Sequence, residues 1–204
     1  MPLPFIELLM LHRPEWEKLL NDAISPMLYN SLHDGMKEVF AKATSLGIRA
    51  AFDVTNPRVE AWAREYCAKR VTQIADTTQK RIANVVADSL RDGKTLPQIR
   101  TALIEDPLIG EVSTKYRAET IARTETANAY VNGNRLGCLE SNAQAQEAGV
   151  AVPFSHLVLD ANPGCCDICS ELDGVLMWSM DETVELPHPN CRCSTRVVIS
   201  SSYL

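Results

Sequence analysis

Five of the seven cysteines fall between residues 165 and 193, and four donors among these residues stand in two short knuckles: Cys166-Asp167-Ile168-Cys169 and, eighteen residues on, His188-Pro189-Asn190-Cys191. Two residues between donors let a tight turn aim both side chains at one ion, and two such turns meeting make a tetrahedron. Zinc suits this set because it takes thiolate and imidazole at about 2.0–2.3 Å and asks only for four-coordination. Four protein ligands close the shell and leave no position for an activated water, so the expected site is structural rather than catalytic. The expected ligands are Cys166, Cys169, His188 and Cys191. Cys193 stays open as an alternative, since in a strand it points to the same face as Cys191 and could replace His188 or Cys191. Thiols that are reduced or disulfide-paired, with no metal, are the remaining reading.

Three thiolates on a dication leave a local charge of about −1, which Arg192 and backbone amides could offset. Structural zinc binds with about 10–16 kcal/mol, more than a small sheet gains by burial, so metal binding and folding of the tail are expected to be one event. A disulfide scaffold is disfavoured, because its cysteines would be spread through a short secreted chain. Cys67 and Cys138 lie in helical patterns and read as small core residues. His156 reads as a packed or surface imidazole.

Enzyme motifs are mostly missing. No H-E-x-x-H, G-x-S-x-G or Walker A sequence occurs. A zinc deaminase would need H-x-E with P-C-x-x-C, and here Gly164 and Cys165 precede the knuckle. An HNH-type nuclease with His188 as base is the harder alternative, but a histidine between Pro187 and Pro189, spaced as a ligand, reads poorly as a base.

The elements that must carry these donors follow from periodicity. Residues 1–55 look helical with breaks: Pro14 opens a helix, and Leu28, Leu32, Val39, Phe40, Ala43 and Leu46 form an amphipathic run that stops at Gly47. A long helix begins at Asn56-Pro57 and ends near Gly93. Thr95-Leu96-Pro97-Gln98 is a capping box for a short helix that must end before Pro107. Ser113 or Thr114 then caps a helix to about Asn142, whose Ala118, Ala122, Ala129, Gly133 and Gly137 leave a groove for a close helix. Within it Arg123 and Glu125, two apart, cannot face each other, and a buried bidentate Arg–carboxylate clamp between helices is expected, ahead of a solvent-facing or a catalytic role. After an Ala/Gln/Gly-rich linker, Gln144–Val152, short strands are expected at Phe154–Leu159, Val175–Trp178 and Thr195–Ile199. Their own core is thin and calls for a staple.

The chain has 204 residues, 46% of them apolar, and a net charge of −6. That is enough apolar material for a core, and the charge is not that of a polycationic nucleic-acid binder. Residues 58–100 carry nine Lys and Arg against five Asp and Glu, which reads as a solvated face before it reads as a DNA contact. No apolar stretch is long enough for a membrane span. The apolar Leu3–Leu11 contains Glu7 and lacks a cationic flank, so it reads as a core segment or an anchor on a partner subunit, not a signal peptide.

Three blocks together resemble the phage Mu F-like family of minor head (head morphogenesis) proteins. They are Arg117 through Tyr130 with its Arg123-Thr124-Glu125; Asp160 through Cys169 with Leu172-Asp173-Gly174; and His188-Pro189-Asn190-Cys191-Arg192-Cys193. The resemblance covers roughly residues 56–199. It implies a few-copy virion protein, made in the host cytoplasm, that sits near the portal or inner capsid and aids head assembly, DNA packaging or ejection. Its implied partners are portal or capsid proteins in a symmetric assembly, with packaged DNA as a further contact. The resulting expectation is a non-enzymatic α+β protein. It has an N-terminal segment (1–55), a helical body (56–145) and a zinc-stapled β module (146–204), with a zinc-containing nucleic-acid binder or nuclease as the alternative.

Overall fold

The computed structural model describes residues 13–48, 51, 57–107 and 111–203; the Leu3–Leu11 segment and the Asn56 cap lie outside them. Among the described residues four helices come first: α1 (Arg13–Ser45), α2 (Pro57–Arg91), α3 (Leu96–Glu105) and α4 (Glu111–Glu147). They are followed by β1 (Phe154–Asp160), the short α5 (Asp167–Leu172), β2 (Met177–Trp178) and β3 (Ser194–Ile199), then a single 3-10 turn, Ser201–Tyr203. The protein is mostly helical with a small C-terminal antiparallel sheet, as its periodicities predict.

Several boundaries differ from expectation: α4 starts at Glu111, ahead of the expected cap at Ser113 or Thr114, and β2 is confined to Met177–Trp178 of the expected Val175–Trp178. α1 is continuous through Pro26, although an interior proline costs about 3 kcal/mol. Ile24, Leu28 and Leu32 are all buried, and that burial offsets the lost amide bond. α4 runs past Asn142 to Glu147, so the Ala/Gln stretch expected as linker is helix, in keeping with the propensity of those residues. The stop falls at Gly149, φ +71. There Val150 N–H reaches Ala145 O and Gly149 N–H reaches Gln146 O, each at 3.0 Å, the paired bonds that close a helix on a left-handed residue.

The chain divides into two compact units, Met1–Ser25 with Glu65–Ala122, and Pro26–Arg64 with Arg123–Leu204. In the first, α2 buries Tyr66, Cys67, Val71 and Ala75 and α3 buries Ile99. Asp106, at the end of α3, is buried and accepts from Arg81 of α2 at 2.6–3.2 Å. The capping box forms as expected, with Thr95 N–H donating to Gln98 Oε1 at 2.7 Å.

In the second unit α1 and α4 cross at glycines. A Cβ on Gly35 would overlap the carbonyl oxygen of Tyr130, one on Gly133 that of Leu32, and one on Gly137 would lie 2.9 Å from Val39 Cβ. This is the close approach expected of Gly133 and Gly137. Tyr130 also donates to Glu38 across the crossing.

The sheet has order β2-β1-β3, all antiparallel. A bulge between Phe154 and His156 breaks the strict alternation of β1. As a result Phe154 joins Leu157 and Leu159 in the core instead of sharing a face with His156 and Val158. The sheet is not left to a thin core of its own: Phe154, Leu157, Leu159, Trp178 and Val184 pack in one cluster with Val39 and Ala43 of α1 and Val131 and Cys138 of α4.

Candidate metal centre

The donors sit on the loops around the sheet. Leaving β1, the chain turns with Ala161 N–H donating to Asp173 Oδ1 at 2.9 Å, and Gly174 N–H returns to Leu159 O at 2.9 Å. This loop holds α5, with Cys166 just before it and Cys169 inside it. The second knuckle precedes β3 and closes on itself through Cys191 N–H to His188 O at 3.3 Å. Asn162 Nδ2 ties the two loops by donating to Arg192 O at 3.2 Å.

The four sequence-predicted donors and Cys193 gather at one place. His188 Nε2 lies 3.2 Å from both Cys166 Sγ and Cys169 Sγ, and Cys169 Sγ lies 3.6 Å from Cys191 Sγ. Tetrahedral bonds of about 2.0–2.3 Å require ligand–ligand edges of about 3.3–3.8 Å; these three spacings come close to that, but the four expected donors do not all lie within 4.8 Å of one another. Two donor groups are compact within 4.8 Å: Cys166, Cys169 and His188, and Cys169, Cys191 and Cys193. Cys169 belongs to both. Cys169, Cys191 and Cys193 are buried, whereas Cys166 is exposed. The cleft they line, about 290 Å³, also admits Cys165.

The tautomer of His188 supports the fit. Its Nδ1 is 2.9 Å from Pro189 O, so Nδ1 carries the proton and Nε2 presents a lone pair to the sulfurs, the usual arrangement of a metal-bound imidazole. That carbonyl also raises the histidine's pKa. Burial pushes the Cys169 and Cys191 thiols up, while the Cys169 backbone amide beside its sulfur pulls Cys166 down. A bound cation reverses the burial effect by stabilising thiolates.

Helix α4 holds this loop region by side chains outside the expected site residues. Asn132 Nδ2 donates to Val184 O at 2.7 Å while its Oδ1 accepts Val184 N–H at 3.0 Å. Asn128 Oδ1 accepts Leu186 N–H at 3.1 Å and Arg135 Nη1 donates to Met180 O at 2.9 Å; away from the donor loops, Asn142 makes a two-way bond with the backbone of Phe154 at the start of β1. The available signal was four asparagines, at 128, 132, 134 and 142, inside one helix where asparagine is a poor former.

Of the two residues expected as a clamp, Glu125 is buried. Arg123 Nη1 donates to Asn190 Oδ1 at 2.9 Å, in the second knuckle. Cys67 and Cys138 are buried, as expected of core thiols, and His156 stands 2.9 Å from Ser155 Oγ.

Long helices, a three-stranded sheet and a Cys/His cluster able to bind a metal define the class: a mostly helical protein with a small clustered-cysteine C-terminal module. Residues 80–196 match the family described as Phage Mu protein F like protein, a span that takes in the Arg123 helix and both knuckles. The chain belongs to that family of phage minor head and morphogenesis proteins. Neither a curated protein nor a solved structure gives a significant match. Among the described residues no helix is long and apolar enough to cross a membrane.

Proposed function

We propose that this chain is a non-enzymatic minor head protein that docks near the portal or inner capsid of a phage particle, with one zinc closing its C-terminal module. Family membership supports the head role. The observation that carries the zinc is the gathering of Cys166, Cys169 and His188, and of Cys169, Cys191 and Cys193, into two compact donor groups that share Cys169, with His188 Nε2 facing the Cys166 and Cys169 sulfurs. Cys166, Cys169, His188 and Cys191 would hold the ion, which supplies a cross-link between two loops; four protein ligands leave no coordination site for a substrate or water. Portal or capsid subunits are the partners, and the particle is the place of action.

Mass spectrometry of purified proheads and virions tests the head role. A few copies of the chain per particle are expected, and its absence from both overturns the reading. Divalent-dependent nicking of DNA that is lost in His188→Ala would favour the nuclease instead.

A further inference from the structure

The second knuckle is built around one unusual residue. Asn190 lies between the two donors His188 and Cys191 with φ +63, the left-handed region that a non-glycine residue enters only when held there. Asparagine tolerates it better than most residues. Two side chains of α4 engage it at once: its backbone N–H donates to Thr124 Oγ1 at 2.8 Å, and its side-chain oxygen accepts from Arg123 Nη1 at 2.9 Å. These bonds span 66 and 67 residues of chain. They act on the turn whose closing bond, Cys191 N–H to His188 O, fixes the separation of the two donors.

We infer that Arg123 and Thr124 are positioning residues of the metal centre: by holding Asn190 in its left-handed turn, they set the His188–Cys191 bite. This rests on the metal reading above and extends it to a helix that contributes no ligand. A group behind a ligand that orients it commonly changes metal affinity by about 10–100-fold when removed.

Full-length protein loaded with cobalt(II) reports both affinity and ligand geometry. Thr124→Val and Arg123→Gln are expected to weaken binding at least about tenfold in chelator competition and to shift the cobalt d–d bands, while Thr124→Ser, which keeps the hydroxyl, restores both. Asn142→Ala removes two bonds at Phe154 and serves as the control for general loosening; its cobalt spectrum should remain that of the wild type. Variants at 123 and 124 that match the wild type, or an Asn142→Ala spectrum disturbed as much as theirs, would overturn the inference. A wild-type chain that takes up no cobalt would overturn the metal reading and this inference with it.

Discussion

At the residue scale the centre turns on Cys169, the one donor in both compact groups. Exchanging His188 for Cys193 would still leave Cys169 among the ligands, so Cys169→Ser should abolish zinc retention after gel filtration. Cys193→Ser should retain it if the four expected ligands are used; metal analysis of both variants checks this. Asn132 is the corresponding residue on the helix side. Asn132→Ala leaves the amide and carbonyl of fully buried Val184 without these partners. Such a loss should cost about 2–4 kcal/mol in chemical denaturation.

The ligands were legible in the sequence because metal chemistry restricts both residue type and spacing. The asparagine rack was not, since Asn128, Asn132 and Asn134 meet backbone groups 52–61 residues away and Asn142 one 12 residues away, and a sequence carries no mark of which distant backbone group an amide will meet.

At the scale of elements, the crossing of α1 and α4 depends on the absence of side chains at Gly35 and Gly133. Alanine is the better helix former by about 1 kcal/mol, yet the overlap at 133 is with a backbone oxygen that no rotamer change relieves. Gly133→Ala should therefore destabilise by about 1–3 kcal/mol or more, read as a lowered thermal midpoint. Gly93→Ala, with open space around it and φ +69, should cost only the left-handed penalty of about 1–2 kcal/mol.

The same crossing makes stability depend on alkaline pH. Burial, then the bond to Glu38, pushes the Tyr130 hydroxyl up to about 12 from its ordinary 10. The folded state therefore keeps a proton that the unfolded chain loses first, and the contribution present below about pH 10 fades as pH rises toward 12. Denaturant midpoints across that range should fall more steeply for the wild type than for Tyr130→Phe. Helix spacing predicted the close approach, whereas the continuity of α1 through Pro26 and the bulge in β1 depend on burial against other elements. Local sequence does not encode that burial.

For the whole molecule, the staple and the apolar core meet in the tail, since Cys169, Cys191 and Cys193 belong to the same buried cluster as the sheet residues. The sheet shares its core with α1 and α4, so metal loss should leave β1 and β3 packed and release mainly the loops that carry the donors. Hydrogen exchange on chelated protein should show protection lost mainly at about residues 162–172 and 187–193, the two donor loops, and retained in Leu28–Ala43, Leu157–Leu159 and around Trp178 and Val184. This is a narrower effect than the collapse of the entire tail expected from sequence, where the strands had no visible partner. Their core became apparent only once distant helices stood beside them.

A single ion closing two loops leaves a signature in the mass of the folded chain. Native and denaturing mass spectrometry of the full chain, purified without added metal or chelator, should differ by one zinc per chain, a difference absent in Cys169→Ser. Identical native and denatured masses in the wild type would contradict that closure.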